Sequence, residues 1–471
     1  MDHDELAHWS KRAADWARDY HATLRDRPVR PDIAPGDFRA LIEAPVPEAP
    51  VPIDRVFDDF ARLVPDAMTH WQHPRFFAYF PANAAPASML AEQLANAMAG
   101  QAMLWQTAPG ANEMEALVVD WLRDALGLPG DFTGTIHDSA TTATFSAVVT
   151  MREKALDFQG LGSGLAGTPR LRLYASDQAH SSVDKAVRLS GIGQDNLVKI
   201  PGKPGDPLFS MDPAALNAAI RADLDVGYKP AGVILATGGT SIGACDDLTA
   251  CIAVAKAHGL PTHVDAAWAG SAMIAPEFRS LWAGVDQADS VVFNPHKWLG
   301  AQFDASVQFL RDPGPQIATM GLRPDYLKTQ SAQEVVNYNE WTLPLGRRFR
   351  ALKIWFLLRI EGLTGLRGRI RNHVAWSGEA AEAIAALDGF ELVTGPILSL
   401  FTFRYRDDET TAALLDAVNR EGRIYLTQTT HAGRFVIRVQ VGQWDCTRDD
   451  VMAIPQVLSD HAARLSAALP G

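Results

Sequence analysis

Apolar residues recur along this chain in two rhythms. Near the start, Leu6, Trp9, Ala13, Trp16 and Tyr20 fall three and four residues apart, which predicts a helix over 5–25 because such spacing gathers side chains on one helical face. Prolines then crowd 28–52, where few apolar positions are periodic, so this stretch should be an extended arm that packs on something else. A second helix is expected over 53–68, followed by an aromatic-rich loop carrying Trp71, Phe76, Phe77, Tyr79 and Phe80. From about 83 to 310 long helical patterns alternate with short β-rich runs, the signature of βαβ units and a mainly parallel sheet. The clearest unit is a strand over 231–236, a helix over 248–258 and a strand over 262–264. After 347 come a helical run over 349–360, a strand over 398–403 and the alternating Phe435, Ile437 and Val439, which read as a smaller α+β domain. The expected division is an N-terminal helical arm over 1–75, a large domain over 76–346 and a small C-terminal domain over 347–471.

Composition supports that size of core: 471 residues are 47% hydrophobic and 21% charged. Acidic side chains outnumber basic ones, 55 against 43, and no lysine- or arginine-rich stripe is interleaved with aromatics, so nucleic acid is not an expected partner. Cys245, Cys251 and Cys446 show no CxxC spacing, which suggests neither a disulfide framework nor a zinc site. His70 and His73 stand without an HExxH motif, so no metal is expected. The first residues form no signal peptide and no run of about twenty apolar residues follows, so a soluble cytoplasmic protein without a membrane partner is expected.

In open α/β sheets ligands collect beyond the carboxyl ends of strands. Lys297, in Asn294-Pro295-His296-Lys297-Trp298, lies just past the apolar run Ser290-Val291-Val292-Phe293, and Asp265 ends the strand pattern about one βα unit upstream. Most lysines are solvated charges whose stems lie along apolar neighbours. Beside a carboxylate at a neighbouring strand end, however, an amine supplies half of what a pyridoxal cofactor needs: one group bonds its aldehyde and the other keeps its ring nitrogen protonated. Asp138-Ser139-Ala140-Thr141-Thr142 precedes a helical pattern and reads either as an N-cap or as a phosphate site built on free backbone N–H groups. His180 follows a strand; such a residue is either a hydrogen-bonded structural histidine or one that lies on a cofactor ring. Ser241 closes Ala236-Thr237-Gly238-Gly239-Thr240-Ser241, a loop whose glycines permit close backbone approach. Gly162-Ser163-Gly164-Leu165-Ala166-Gly167 matches GxGxxG but follows a helix and precedes a strand, the wrong context for a dinucleotide site, and reads as a connector.

In the order phosphate loop, histidine, hydroxyl, aspartate and lysine, these stretches resemble the group II pyridoxal-dependent decarboxylases, and among them the aromatic-L-amino-acid decarboxylase type. The likeness also covers Phe76-Phe77-Ala78-Tyr79-Phe80-Pro81 and Pro344-Leu345-Gly346-Arg347-Arg348-Phe349, and so nearly the whole chain. It implies an α/β architecture of the PLP-dependent transferase fold (fold type I), a mainly parallel central sheet with a smaller C-terminal α+β domain and an N-terminal helical arm, assembled as a homodimer. It implies pyridoxal 5'-phosphate as cofactor, bonded by Lys297, with Asp265 on the ring nitrogen and His180 stacked on the ring. Ser139, Ala140, Thr141 and Asn294 would hold the phosphate, with Ala267 against the ring and Ser241 near it. Tyr326, within a long and weakly patterned stretch over 313–340, matches the tyrosine that protonates the substrate's Cα, with His180 assisting. Tyr79, Phe80 and Trp105 would line a slot for a substrate ring, and Gly346 would leave room for it.

The implied reaction is decarboxylation of an aromatic L-amino acid, namely tryptophan, phenylalanine, tyrosine or dihydroxyphenylalanine, to the amine and CO2. An aromatic aldehyde synthase on the same scaffold is the nearest rival, and Tyr326 argues against it because phenylalanine is usual there in such enzymes. Three positions depart from the common pattern: Asp138 for glycine beside the phosphate loop, Ser241 for threonine and Trp268 for tyrosine.

Overall fold

The computed structural model describes residues 1–42, 45–322 and 335–468. Contacts divide the chain into two compact units, Met1–Pro81 with Ala375–Gly471, and Ala82–Val374. This division differs from the expected one because the proline-rich arm and the aromatic loop join the C-terminal segment. Val29 donates its N–H to Gly422 O, Phe77 donates to Tyr425 O, and Arg25 and Arg75 both pair with the buried Asp450.

The larger unit is built on a seven-stranded sheet. Its strands are β1 (Thr133–His137), β2 (Leu171–Ser176), β3 (Leu197–Ile200), β4 (Lys229–Ala236), β5 (Thr262–Asp265), β6 (Ser290–Phe293) and β7 (Ser306–Leu310), in the spatial order β1-β7-β6-β5-β4-β2-β3. Neighbours from β3 through β6 pair in parallel, and β7 runs antiparallel to both β6 and β1. The central strands β4, β5 and β6 are buried almost end to end, as strands covered on both faces require. The expected unit around 231–264 is present as β4, the helix Leu248–Ala257 and β5. Helices Ala140–Ala155 and Ser181–Leu189 pack with β2 and β4 around Val148, Leu173, Val183, Val187 and Ile234. The glycine-rich 162–167 stretch is a connector: a single helical turn, Gly160–Ser163, precedes Gly164 and Gly167 at positive φ.

The smaller unit contains a four-stranded antiparallel sheet of β8 (Phe390–Ile397), β9 (Leu400–Tyr405), β10 (Thr427–His431) and β11 (Arg434–Gln440), ordered β10-β11-β9-β8. Helices Asp408–Glu421 and Arg448–Ala468 close its core, in which Phe401, Phe403, Leu414, Val418, Ile437, Val439 and Ile454 are buried. The first helix runs His3–Thr23 and the next long one Ile53–Leu63, close to the expected spans. They meet through Trp9 against Phe57 and Trp16 against Phe60, yet neither helix has a buried residue. The stretch expected to be an unstructured loop over 313–340 begins instead with the helix Gly314–Met320, where buried Gln316 bonds to Gln308 and to Trp341 O. Among the described residues no helix is long and apolar enough to cross a membrane.

Candidate active site

Parallel register decides which side chains meet at the carboxyl edge of the large sheet. Ala236 at the end of β4 pairs with Asp265 at the end of β5, and Asp265 pairs with Val292 in β6. Two backbone bonds then tie the strand ends together: Ala266 N to Val292 O at 2.9 Å and Asn294 N to Ala267 O at 2.8 Å. Beyond Phe293 the chain turns through Pro295–Leu299, and Lys297 at φ −97° and ψ −110° departs from helical geometry. Gly300, at φ 108°, adopts the left-handed conformation that closes the turn.

The result is a cavity of about 190 Å³ lined by Lys297, Asp265, His180, Ser139, Ala140, Thr141, Ala267 and Asn294. Eight residues singled out in the sequence therefore meet in one place. Ser241 does not line it; its neighbour Thr240 does, because the turn after β4 brings Gly238, Gly239 and Thr240 to the wall. Gly238, at φ 86°, could not carry a side chain, since a Cβ there would lie 2.4 Å from Ala269 Cβ. Gly238, Gly239 and Thr240 belong to the loop singled out for close backbone approach, whereas no role was expected for Ser182, His296 or Phe303, which also line the cavity. His296 was within reach of sequence reasoning as the residue before Lys297; nothing in the local pattern signals Phe303, which arrives from the far side of the turn and rests on the His296 ring at 4.8 Å.

Each chemical group is held. Asp265 is only 9% exposed, and its Oδ1 accepts the Ala267 N–H at 3.0 Å. Desolvation pushes the Lys297 ammonium below its ordinary pKa and Asp265 opposes the shift, so burial is the stronger influence. His180 is the N-cap of Ser181–Leu189: its Nδ1 accepts Ser182 N–H at 3.1 Å and lies 2.8 Å from Ser182 Oγ. An accepting Nδ1 places the proton of the neutral ring on Nε2. Desolvation lowers the His180 pKa, with Asp265 opposing and Lys297 adding to the decrease, which keeps the imidazole uncharged near neutral pH.

The N-cap reading of the 138–142 segment is observed, and it is compatible with the phosphate reading. Ser139 caps the helix Ala140–Ala155 by accepting Thr142 N–H at 3.2 Å, and Ala140 and Thr141, whose N–H groups precede any intrahelical acceptor, line the cavity. An anion fits there. Asn294 Oδ1 is buried without a hydrogen-bond partner among the described residues; with the amide turned over, its NH2 group serves the same anion. Together with the amine, the buried carboxylate and the imidazole, this donor set suits pyridoxal 5'-phosphate: a dianion at a helix N-terminus, a flat ring and an aldehyde. Among the described residues no group of three or more His, Cys, Asp or Glu side chains is placed to hold a metal ion.

Of the residues expected to line a substrate slot, Trp105 and Gly346 share a unit with this cavity and do not line it. Trp105 donates its indole N–H to Glu113 at 2.9 Å, and Gly346 lies at a separate polar cavity of about 390 Å³, where a Cβ would meet Gln101 Oε1 at 3.4 Å. Contacts of neighbouring side chains, which local periodicity does not encode, decide both placements. Tyr79 and Phe80 belong to the smaller unit, where Tyr79 stacks on Trp71 at 5.8 Å and the Arg438 guanidinium lies 5.3 Å from the Phe80 ring. Tyr326 lies outside the described residues.

Known proteins are similar to this chain over nearly its full length. A phenylacetaldehyde synthase of Arabidopsis thaliana is 35% identical over 94% of this chain and 92% of its own. An aromatic-L-amino-acid decarboxylase of Mus musculus is also 35% identical, over 100% of this chain and 99% of its own. The crystal structure of an Oryza sativa TDC with PLP and tryptamine superposes with a TM-score of 0.95 at 33% identity, covering 99% of both chains. The family model described as the pyridoxal-dependent decarboxylase conserved domain matches residues 35–406, and this chain belongs to that family.

Proposed function

We propose that the protein removes the α-carboxyl group of an aromatic L-amino acid, releasing CO2 and the corresponding amine. The observation that carries the reading is the convergence of Lys297, Asp265 and His180 on one cavity at the carboxyl edge of the sheet. When bound, pyridoxal phosphate supplies an aldehyde that takes a primary amine and a cationic ring that accepts electrons from the breaking Cα–carboxylate bond. In this reading Lys297 holds the aldehyde, and its lowered pKa raises the share of neutral, nucleophilic amine. Asp265 keeps its negative charge toward the ring nitrogen from a site nearly closed to water, where that charge acts most strongly. His180 covers a ring face with a neutral imidazole, while Ser139, Ala140, Thr141 and Asn294 take the phosphate. Ala267 touches the ring and Ser241 supports the adjoining loop. Tyr326 delivers a proton to Cα, a role that rests on its place in the sequence.

The aromatic preference draws on the relatives, which are named for aromatic amino acids or their aldehydes. Tyr79, Phe80, Trp105 and Gly346 form the substrate slot in this reading. In this reading Trp105 and Gly346, which are not among the residues lining the cavity, serve the site of a second copy in a homodimer. Support for that dimer comes from apolar side chains that the chain leaves uncovered, among them Leu41 at 64%, Ile42 at 52% and Val46 at 87% exposure. A cytoplasmic setting agrees with three buried, unpaired cysteines.

The test is incubation of the yellow, cofactor-loaded protein with tryptophan, phenylalanine, tyrosine and dihydroxyphenylalanine, scoring CO2 and product mass. Amine from at least one supports the reading; turnover of glutamate or diaminobutyrate alone overturns it. The second reading, an aldehyde synthase, is favoured by the Arabidopsis relative. It is recognised by aldehyde, ammonia and peroxide in place of amine.

A further inference from the structure

The turn that carries Lys297 is held from outside by a strap that leads into the helix Pro86–Met98. Asn83 is fully buried, and its Nδ2 donates to the main-chain carbonyl of Lys297 itself at 3.0 Å. Two residues on, Ala85 N donates to Gly300 O at 3.0 Å. Three residues further, buried Ser88 Oγ accepts the N–H of Gln302 at 2.7 Å. Three bonds from a short segment thus reach positions 297, 300 and 302, while the turn's own bonds close it from within: Lys297 N to Asn294 O at 3.0 Å and Gly300 N to Pro295 O at 3.1 Å.

The side-chain bond differs from the other two. Ala85 contributes through its backbone and would do so whatever residue stood there, whereas the bond from position 83 to Lys297 O depends on the amide side chain of Asn83. In the reading proposed above, the lysine amine must be released and recaptured in each cycle, so its Cα has to stay in place while its side chain moves. A partly buried carbonyl that loses a donor gives up a bond that holds the main chain in one place, and the turn gains freedom to shift. Misplacement of a reacting group by a fraction of an ångström is enough to slow its reaction.

We propose that Asn83 is a positioning residue for Lys297: it fixes the main chain of the lysine so that the amine returns to one place, without touching cofactor or substrate. The inference rests on Lys297 being the cofactor-bonding lysine. The test uses the full chain with Asn83→Ala, with Asn83→Asp, which keeps the shape but replaces the donor by an acceptor, and with Ser88→Ala as a control on the strap's outer bond. Three quantities are read. The first is amide hydrogen exchange over 295–302 in the cofactor-free protein, the second is the rate at which added pyridoxal phosphate becomes borohydride-fixed on Lys297, and the third is kcat against KM.

Both Asn83 variants should exchange faster over 295–302, capture the cofactor about tenfold more slowly and lose about tenfold in kcat, with KM within about twofold. Ser88→Ala should change capture less than either. Unchanged exchange, or capture and kcat within about twofold of the parent in both Asn83 variants, overturns the proposal. If Asn83→Ala does not fold, Asn83→Asp alone decides by the same criteria. Absence of label on Lys297 in the parent would instead remove the cofactor reading, and the positioning of the main chain would then be judged by hydrogen exchange alone.

Discussion

Replacing Asp265 by asparagine separates cofactor capture from cofactor activation. The change is isosteric: an amide oxygen still accepts the Ala267 N–H that Oδ1 now takes at 3.0 Å, so the strand end keeps its geometry and only the charge is lost. The charge sits on a residue 9% exposed, where an ion pair at contact distance with an effective dielectric of about 20 contributes about 4 kcal/mol. If Asp265 holds the ring nitrogen cationic throughout the reaction, that loss corresponds to a fall in kcat of about a thousandfold. Lys297 should still capture the cofactor, because Asp265 opposes the decrease in its pKa; without the carboxylate the amine becomes less basic and more of it is neutral. The assay is CO2 release at saturating aromatic substrate, with borohydride labelling and a thermal melt run in parallel. Normal labelling, an unchanged melt and a fall of about three orders of magnitude fit the reasoning. A kcat within about tenfold of the parent refutes it.

Other consequences follow from charges elsewhere in the larger unit. Arg347 and Glu115 form a two-pronged pair at 2.6 and 3.0 Å with side chains 2% exposed, so Glu115→Ala leaves a buried guanidinium uncompensated and should cost about 3–5 kcal/mol in denaturant unfolding. Burial holds His137 and His263 at about 4 and His296 and His373 at about 3, all below the ordinary 6.5. Their contribution to stability is therefore complete above about pH 6.5 and is lost as pH falls toward 4, up to about 3 kcal/mol each. Burial raises Asp246 to about 6, which acts in the opposite direction below that pH. Urea midpoints measured between pH 7 and 4.5 should therefore fall steadily, and a flat profile would show that these histidines are charged in the fold. Asp138 lies beside the capped helix start, with Ser139 Oγ donating to its Oδ1 at 3.3 Å. Asp138→Asn should tighten cofactor binding about fivefold in a spectroscopic titration by removing a charge of the same sign as the phosphate, with the gain shrinking in high salt.

What the sequence made legible was chemistry at strand ends. Lys297 stands four residues past the apolar run that ends at Phe293, and Asp265 ends the neighbouring strand Thr262–Asp265, so the rule that places ligands beyond the carboxyl edge of a sheet points to both. Ser139 was readable in two ways: it caps the helix by accepting Thr142 N–H, and such a cap leaves the N–H groups of Ala140 and Thr141 to the phosphate proposed above. Side chains that reach the cavity through tertiary packing were not legible. Phe303 arrives by way of the turn after Gly300, and Asn83 reaches Lys297 across 214 positions of sequence. The contacts that Trp105 and Gly346 make within the chain, a bond to Glu113 and the neighbourhood of Gln101, also carry no local signal. The arm was expected to pack on something; that its partner is the C-terminal segment follows from bonds such as Val29 N to Gly422 O, which no local pattern encodes.

The covalent role of Lys297 is open to direct measurement. Purified protein loaded with pyridoxal 5'-phosphate, reduced with borohydride and digested should carry the added pyridoxyl mass on the peptide containing Lys297, and Lys297→Ala should carry none. A label spread over surface lysines, or one that persists on another residue in Lys297→Ala, would contradict the site described above.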